Sequence, residues 1–395
     1  MEYLKIHDKE LISRGAIHTA KEISEQPFIW ESTYRKFFKE KENVLGFWNS
    51  IITKINKIIL TGAGTSAYIG YSLEGAFQRY TGITTVSVAS THLVTHPYDY
   101  LPENIPTLLI SFARSGNSPE SVAATELADS ICKKCYHLII TCDEEGKLAK
   151  YESKNEKFNF ILPPESNDKS LAMTGSYTSM LLAGLLFSRI RDIESIKEQV
   201  DYLVDFGHKI IDVYSDKLKE IAKMGFERAV FLGSGPLYGT AAESHLKLQE
   251  LTDGQIICIN DSFLGFRHGP KAVVDEKTII LFIFSNHEYV EKYERDLVRS
   301  MQKGKKSMLL VGVSESSIAD LNLDLDIYFS DEGHKIEEEF LAVCSILPAQ
   351  ILGFYKSLEL GLRPDNPSIS GAISRVVEGV VIYENLIQKT KTLVR

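Results

Sequence analysis

The sequence predicts an α/β protein built from two tandem, doubly wound parallel-sheet domains, and three observations carry that prediction. Short apolar runs alternate with helix-like stretches at intervals of about 30 to 50 residues, the spacing of strands joined by crossover helices. Glycine- and serine-rich turns close the runs. The same order of run, turn and helix occurs twice along the 395 residues.

The first cycle begins with an apolar run at 57–60 leading into T-G-A-G-T-S at 61–66, followed by a helix-like stretch over 67–78. A second run, 107–110, ends in S-F-A-R-S-G-N-S at 111–118, with a helical pattern over 119–133, and 137–141 reads as a third strand. The second cycle repeats the order: 229–232 into G-S-G-P-L-Y-G-T at 233–240, then 278–284, then 308–313. These cycles set the expected domains at 45–200 and 215–360. Residues 1–44, with 23–38 rich in Glu, Lys and aromatics, are expected to form a helical extension packed on the outside. Residues 361–395 form a C-terminal tail opened by R-P-D-N-P at 363–367, where two prolines exclude a continuous helix. No low-complexity linker separates the domains, so they should pack closely. In open parallel sheets ligands sit beyond the carboxyl ends of the strands, where the glycine and serine turns fall.

Composition narrows the partners. Hydrophobic residues at 44% and charged residues at 25% describe a folded globular chain. With 44 Lys and Arg against 53 Asp and Glu, the net charge of −9 argues against a surface that neutralises a nucleic acid or an anionic membrane. An anionic ligand is therefore expected to be small and held by a local site. The first residues lack the order of a signal peptide, and no apolar run approaches the roughly 18 residues of a membrane helix, so a cytoplasmic protein is expected. Five scattered cysteines fit a reducing compartment. Cys132-x-x-Cys135 resembles half a metal site, but no second Cys or His pair stands at zinc spacing, so no metal is expected.

The turns carry the candidate chemistry. G-A-G-T-S lacks the third glycine of a dinucleotide fingerprint, which would fall at Ala67, and it lacks a phosphate-loop lysine. What remains is a tight turn at Gly64 that brings backbone N–H groups and the hydroxyls of Thr65 and Ser66 to a helix N-terminus, which suits a phosphate. A simple serine helix cap is the alternative on this motif alone. Ser115-Gly116-Asn117-Ser118 precedes Pro119 at an expected first helical position, and Thr174, Ser176 and Thr178 precede an apolar helix. Three hydroxyl-rich helix starts are sufficient for a monophosphate without metal or lysine.

In the second half, Glu243, Lys247 and Glu250 share one helix face by their spacing of four and three. They form either an exposed salt-bridged stripe or, following a glycine turn at the ligand end of the sheet, a carboxylate able to shuttle a proton between adjacent carbons. His268 lies in F-R-H-G-P-K, where Gly269 and Pro270 fix its direction and Arg267 and Lys271 favour the neutral, proton-accepting ring. A structural or solvated histidine is the alternative.

Taken together, G-A-G-T-S, S-G-N-S, E-x-x-x-K-x-x-E and H-G-P resemble the sugar isomerase (SIS) superfamily, notably the isomerase half of glucosamine-6-phosphate synthase, from about residue 50 to the end. More narrowly, S-F-A-R-S-G-N-S-P-E-S, L-A-M-T-G-S at 171–176, G-F-R-H-G-P-K at 265–271 and R-V-V-E-G-V at 375–380 are similar to the AgaS group of tagatose-6-phosphate ketose/aldose isomerases or galactosamine-6-phosphate deaminases. The resemblance implies that Ser66, Ser115, Ser118 and Ser176 hold the 6-phosphate, with Gly64, Thr65 and Gly116 in the same turns. It implies that Glu250 shuttles the proton, with Lys247 and Glu243 beside it, and that His268, next to Arg267, assists ring opening and reaches the site of a neighbouring subunit. A homodimer or dimer of dimers and no cofactor follow from the same likeness.

Two departures from the synthase stand out. Residue 2 is Glu2 rather than cysteine, with no glutaminase domain before the first SIS domain, so glutamine-derived ammonia is not expected. Where the synthase tail carries a Schiff-base lysine, this chain has Ser374-Arg375-Val376, and Lys389 and Lys391 lie too far along. The expected direction is therefore catabolic: galactosamine 6-phosphate to tagatose 6-phosphate and ammonia. The alternatives are an aldose/ketose isomerase of another sugar phosphate, amino-sugar chemistry in the gluco series, or a non-catalytic sugar-phosphate sensor. Against the sensor, residues 1–44 show no DNA-binding pattern.

Overall fold

The computed structural model describes residues 1–331, 333–377 and 379–384. It contains two five-stranded, wholly parallel sheets. The first runs Thr84–Ser87, Lys57–Thr61, Thr107–Ala113, Cys135–Thr141, Lys157–Ile161 from edge to edge. The second runs Ile257–Asp261, Arg228–Gly233, Thr278–Ile283, Leu309–Ser314, Leu325–Tyr328. Both have the order 2-1-3-4-5, so the duplication read from the sequence is a duplication of topology. That order reverses between the first and third strands, and the crevice at the reversal is where such sheets take ligands.

The inner strands are apolar because both faces are covered: every residue of Thr107–Ala113 and Cys135–Thr141 is buried. The edge strands Thr84–Ser87, Lys157–Ile161, Ile257–Asp261 and Leu325–Tyr328 do not stand out as apolar runs, and the structure adds them to the three strands per half that the sequence shows. Their residues are only partly buried, and backbone pairing to an apolar neighbour holds them.

Two helices join the halves. Lys197–Ala222, 26 residues and about 39 Å long, connects them along the chain. Gly175–Ser188, whose run from Met180 to Phe187 is apolar on every side, is buried at every position between the N-terminal extension, Thr65–Thr81 and Glu338–Cys344. The extension is not an outer layer. Its helices Ile17–Ser24 and Gln26–Lys39 bury Ile23, Trp30 and Phe37 completely, and Phe37 meets Phe160 and Phe187 edge-on at 5.3 and 4.9 Å. Its apolar face completes the core beneath the first sheet. Among the described residues, the one stretch apolar and long enough to cross a membrane, Glu338–Glu359, has its apolar 18-residue window wholly buried inside the fold.

The contact that matters for function is between Thr65–Thr81 and Pro236–Leu251, one helix from each half. They approach so closely at Gly239 that a Cβ there would stand 2.2 Å from Ser72 Oγ and 2.7 Å from the Tyr68 carbonyl oxygen. Ser72 Oγ donates across the contact to the Pro236 carbonyl at 2.7 Å. A residue of the second half is thereby delivered to a turn of the first.

Candidate active site

The turn after Lys57–Thr61 places Gly64 at φ +56°, a left-handed conformation that favours glycine, and starts the 17-residue helix Thr65–Thr81. Gly64 is the N-cap and no side chain caps the helix, so the hydroxyls of Thr65 and Ser66 are not consumed as caps. The turn after Thr107–Ala113 is built alike. Gly116 sits at φ +64°, Pro119 opens the helix Pro119–Ile131, and Ser118 precedes it without a side-chain cap bond. Asn117 Oδ1 accepts from the Lys147 backbone N–H at 3.1 Å and holds the turn in place.

Both turns open into a single cavity of about 490 Å³. Its lining includes Gly64, Thr65, Ser66, Ser115, Gly116 and Ser118, then Lys247 and Glu250 from the second half, Leu171 and Met173 from a loop, and residues 371–377 of the tail. Two helix N-termini with partial positive charge, and the hydroxyls of Ser66 and Ser118 beside them, face one cavity and make a receptor for a small anion. A wider groove, about 900 Å³ between residues 94–99 and the helix Pro119–Ile131, gathers no such set of groups.

The Glu243-Lys247-Glu250 stripe is not an exposed ladder. Glu243 and Lys247 are completely buried, and only Glu250 keeps part of its surface, where it reaches the cavity. Lys247 Nζ lies 3.3 Å from Glu243 Oε1, donates to Thr65 Oγ1 at 3.1 Å and pairs with Glu250 Oε2. Thr65 Oγ1 in turn donates to Glu243 Oε1 at 3.2 Å. Burial pushes Glu243 up to about 8; the Lys247 ammonium opposes that shift and the nearby Glu250 adds to it. Burial also disfavours the Lys247 cation, but the two carboxylates outweigh it and hold its pKa above the ordinary lysine value. The cluster thus presents a fixed ammonium and one accessible carboxylate beside the anion receptor.

Three expected residues, Ser176, Arg267 and His268, fall elsewhere. Ser176 is fully buried and does not line the cavity, because its helix start already holds an anion of the chain's own. Asp168 accepts from the backbone N–H groups of Thr174, Gly175 and Ser176 at 2.8, 3.0 and 3.0 Å, and from the Ser176 hydroxyl at 2.5 Å. His268 ends the short turn Gly265–His268, anchored by buried Phe266, and together with Arg267 it is exposed. Within one chain it does not join Glu250 at the cavity.

Arg114, within S-F-A-R-S-G-N-S, lines the cavity without being singled out by its sequence pattern. It is almost completely buried and donates to the carbonyls of Ser170, Leu171 and Arg375 at 3.2, 3.1 and 2.6 Å. The signal was a cation closing an otherwise apolar strand, since a buried guanidinium must find acceptors. Lys389 and Lys391 lie outside the described residues.

The chain belongs to the SIS domain family, whose sequence pattern matches residues 51–188 and 224–355. Within that family it is 38% identical over 385 residues to the D-galactosamine-6-phosphate deaminase AgaS of Shewanella sp. (strain ANA-3), an alignment covering 96% of this chain and 95% of the relative. The crystal structure of a Clostridium novyi NT protein provisionally assigned as a tagatose-6-phosphate ketose/aldose isomerase superposes with a TM-score of 0.94 at 39% identity, covering 98% of this chain and 100% of that one. The Escherichia coli tagatose-6-phosphate ketose/aldose isomerase superposes with a TM-score of 0.83 at 35% identity, covering 93% and 96%.

Proposed function

We propose that the protein is a D-galactosamine-6-phosphate deaminase, releasing ammonia and forming tagatose 6-phosphate. The observation that carries this reading is the bonded junction of Thr65 with Glu243, Lys247 and Glu250, which sets an acid–base carboxylate at the edge of an anion-binding turn. The near-full-length likeness to the Shewanella deaminase supplies the substrate.

The 6-phosphate sits on the turns of Thr65, Ser66, Ser115 and Ser118, held by their backbone N–H groups and the three serine hydroxyls and backed by two helix dipoles. Glu250 takes the C2 proton of the open-chain amino aldose, and O1 gains a proton as the C1–C2 enolamine forms. Lys247, held as a cation, stabilises the negative charge that develops on the oxygen. Glu250 returns its proton to C1, which leaves a ketimine at C2. Water adds to that carbon and ammonia leaves, giving the 2-ketose. Ring opening falls to His268, exposed here and brought to the site by a second copy of the chain in a homodimer or dimer of dimers. Neither a metal nor an organic cofactor enters these steps, and a cytoplasmic enzyme with no nucleic-acid or membrane partner accords with them.

The test is ammonia release measured alongside ketose phosphate from galactosamine 6-phosphate and glucosamine 6-phosphate. Glu250→Gln should lower turnover by about 10³-fold or more while phosphate binding persists. Near-normal turnover in that variant would refute the assignment of the base. A plain aldose/ketose isomerase uses the same proton transfer without imine hydrolysis, and the Escherichia coli relative's assignment favours it as the second reading. Ketose formation from an unaminated sugar phosphate, with no ammonia from either amino sugar, would select it.

A further inference from the structure

The mouth of the cavity is crossed by chain that belongs to neither sheet. Residues 371–377 line it, and Arg375 is gripped from two directions. Its guanidinium donates to the Asp168 carbonyl through Nε at 3.0 Å and Nη2 at 2.5 Å, and to Asn167 Oδ1 at 3.0 Å. Its own carbonyl accepts from Arg114 Nη2 at 2.6 Å, so the residue just before Ser115 also holds the tail.

The loop that receives Arg375 is rigid for identifiable reasons. The Asp168 side chain caps the buried helix Gly175–Ser188, as described above. From the N-terminal extension, Glu22 accepts from the backbone N–H of Lys169 at 2.6 Å and from the Ser170 hydroxyl. Upstream, the tail has a second anchor. Asp365 Oδ1 accepts from the Thr19 N–H and hydroxyl at 2.8 and 2.9 Å, and its carbonyl accepts from the Leu171 N–H at 3.0 Å. Between these anchors, residues 369–374 are exposed, and a left-handed Gly371 (φ +69°) turns the chain. A segment held at both ends, met between them by Asp253 Oδ2 at the Ile369 N–H (3.3 Å) and otherwise exposed, is a strap.

We propose that Arg375 is a positioning residue for the sugar, holding the tail segment 371–377 across the cavity so that the bound sugar phosphate is enclosed by the chain's own C-terminal strap. The identity of the sugar rests on the deaminase reading; the strap does not. Arg375 donates only to a backbone carbonyl and an amide oxygen of the loop, so its part is to hold the tail rather than to move a proton.

The experiment compares wild type, Arg375→Ala and Arg375→Lys in steady-state kinetics, thermal unfolding and hydrogen exchange of segment 371–377, with inorganic phosphate and galactosamine 6-phosphate as probes. Losing the charge-assisted bonds that hold the tail over the cavity should raise KM about tenfold in Arg375→Ala and leave kcat within about threefold. Its melting temperature should be unchanged. Inorganic phosphate should slow exchange of 371–377 in wild type but not in Arg375→Ala, and Arg375→Lys, which keeps the charge without the planar fork, should recover part of the KM. An unchanged KM in Arg375→Ala overturns the proposal, as does a lower kcat with a lower melting temperature at unchanged KM. If no amino sugar is turned over, the phosphate-dependent exchange still reports on the strap, so failure of the deaminase reading is seen separately.

Discussion

Gly239→Ala tests the dependence of the active site on how closely the two halves approach. Alanine in a helix is favoured over glycine by about 1 kcal/mol, so on propensity alone the variant would be more stable. The contact decides otherwise. The new Cβ would stand 2.7 Å from both the Ser72 backbone nitrogen and the Tyr68 carbonyl oxygen, where ordinary contact begins near 3.4 Å, so the helices Thr65–Thr81 and Pro236–Leu251 must part by about 0.7 Å. Two of the three nearest atoms are backbone and cannot swing aside. Overpacking of this kind costs about 1–3 kcal/mol, enough to cancel the propensity gain and lower the melting temperature by a few degrees.

The same displacement acts on the chemistry. Lys247 Nζ to Thr65 Oγ1 and Thr65 Oγ1 to Glu243 Oε1, now 3.1 and 3.2 Å, would lengthen beyond hydrogen-bonding distance. A misplacement approaching 1 Å costs up to about 10²-fold in rate, so kcat for ammonia release should fall by about 10 to 100-fold. Binding of inorganic phosphate, which needs only the first half's turns, should change by less than about threefold. Turnover within twofold of wild type in a folded Gly239→Ala protein would sink the claim that this contact sets the catalytic geometry.

Two further predictions concern buried carboxylates outside the catalytic stripe. Burial and the neighbouring Asp168 charge push Glu22 up to about 7 from an ordinary 4.5, so the folded state binds more protons than the unfolded state between those values. That contribution to stability is present below pH 4.5 and is lost as pH rises through about 7; denaturant titrations across this window should show a decline in wild type that Glu22→Gln lacks. Asp129 has the opposite sign. Although burial opposes its charge, bonds from His137, Ser153, Asn155 and Tyr151 at 2.7–2.8 Å hold it below the usual carboxylate range, so its contribution is lost as pH falls through that range. Asp129→Asn sets an amide donor against those donors and should cost about 3 kcal/mol in chemical denaturation at pH 7 without altering KM; a loss below 1 kcal/mol would show the network to be dispensable.

What could be read from the sequence was what is local. The stripe Glu243, Lys247, Glu250 follows from helical spacing, and the turns at Gly64 and Gly116 follow from glycines beside hydroxyls at the ends of apolar runs. What could not be read depends on the other half of the chain. Nothing within Pro236–Leu251 says that Lys247 is buried; the helix Thr65–Thr81, some 170 residues earlier, buries it, and Gly239 gives no local sign of that approach. Ser176 failed for a related reason. A hydroxyl-rich helix start is the same whether its anion arrives as phosphate or from Asp168, eight residues upstream, and only the fold shows the loop bending back to fill it. Charged residues interrupt 23–38 and suggest an outer helix, yet Trp30 and Phe37 are fully buried and Phe37 packs on Phe160 and Phe187.

The duplication explains why the site is asymmetric. Gly64 and Gly235 stand at equivalent places, each before the first helix of its half, with φ and ψ of +56° and −128° against +55° and −129°. The backbone of the cradle survives in both halves. The side chains around it do not. In the second half the turn after Thr278–Ile283 is met by carboxylates of the chain itself: Glu294 Oε2 accepts from the Ser285 N–H at 2.9 Å, and Glu338 accepts from the Ser285 hydroxyl. Glu294 is fully buried there, and that burial pushes it up to about 8. A phosphate entering this turn would displace those bonds and face two more acids, whereas in the first half it meets hydroxyls and N–H groups. On the proposed reading, the first half supplies the anion receptor and the first helix of the second half bears the acid–base stripe. With the two tasks on different halves, that reading makes the reaction depend on the packing between them, and it predicts that a single glycine at the helix crossing carries as much weight as a residue that touches the sugar.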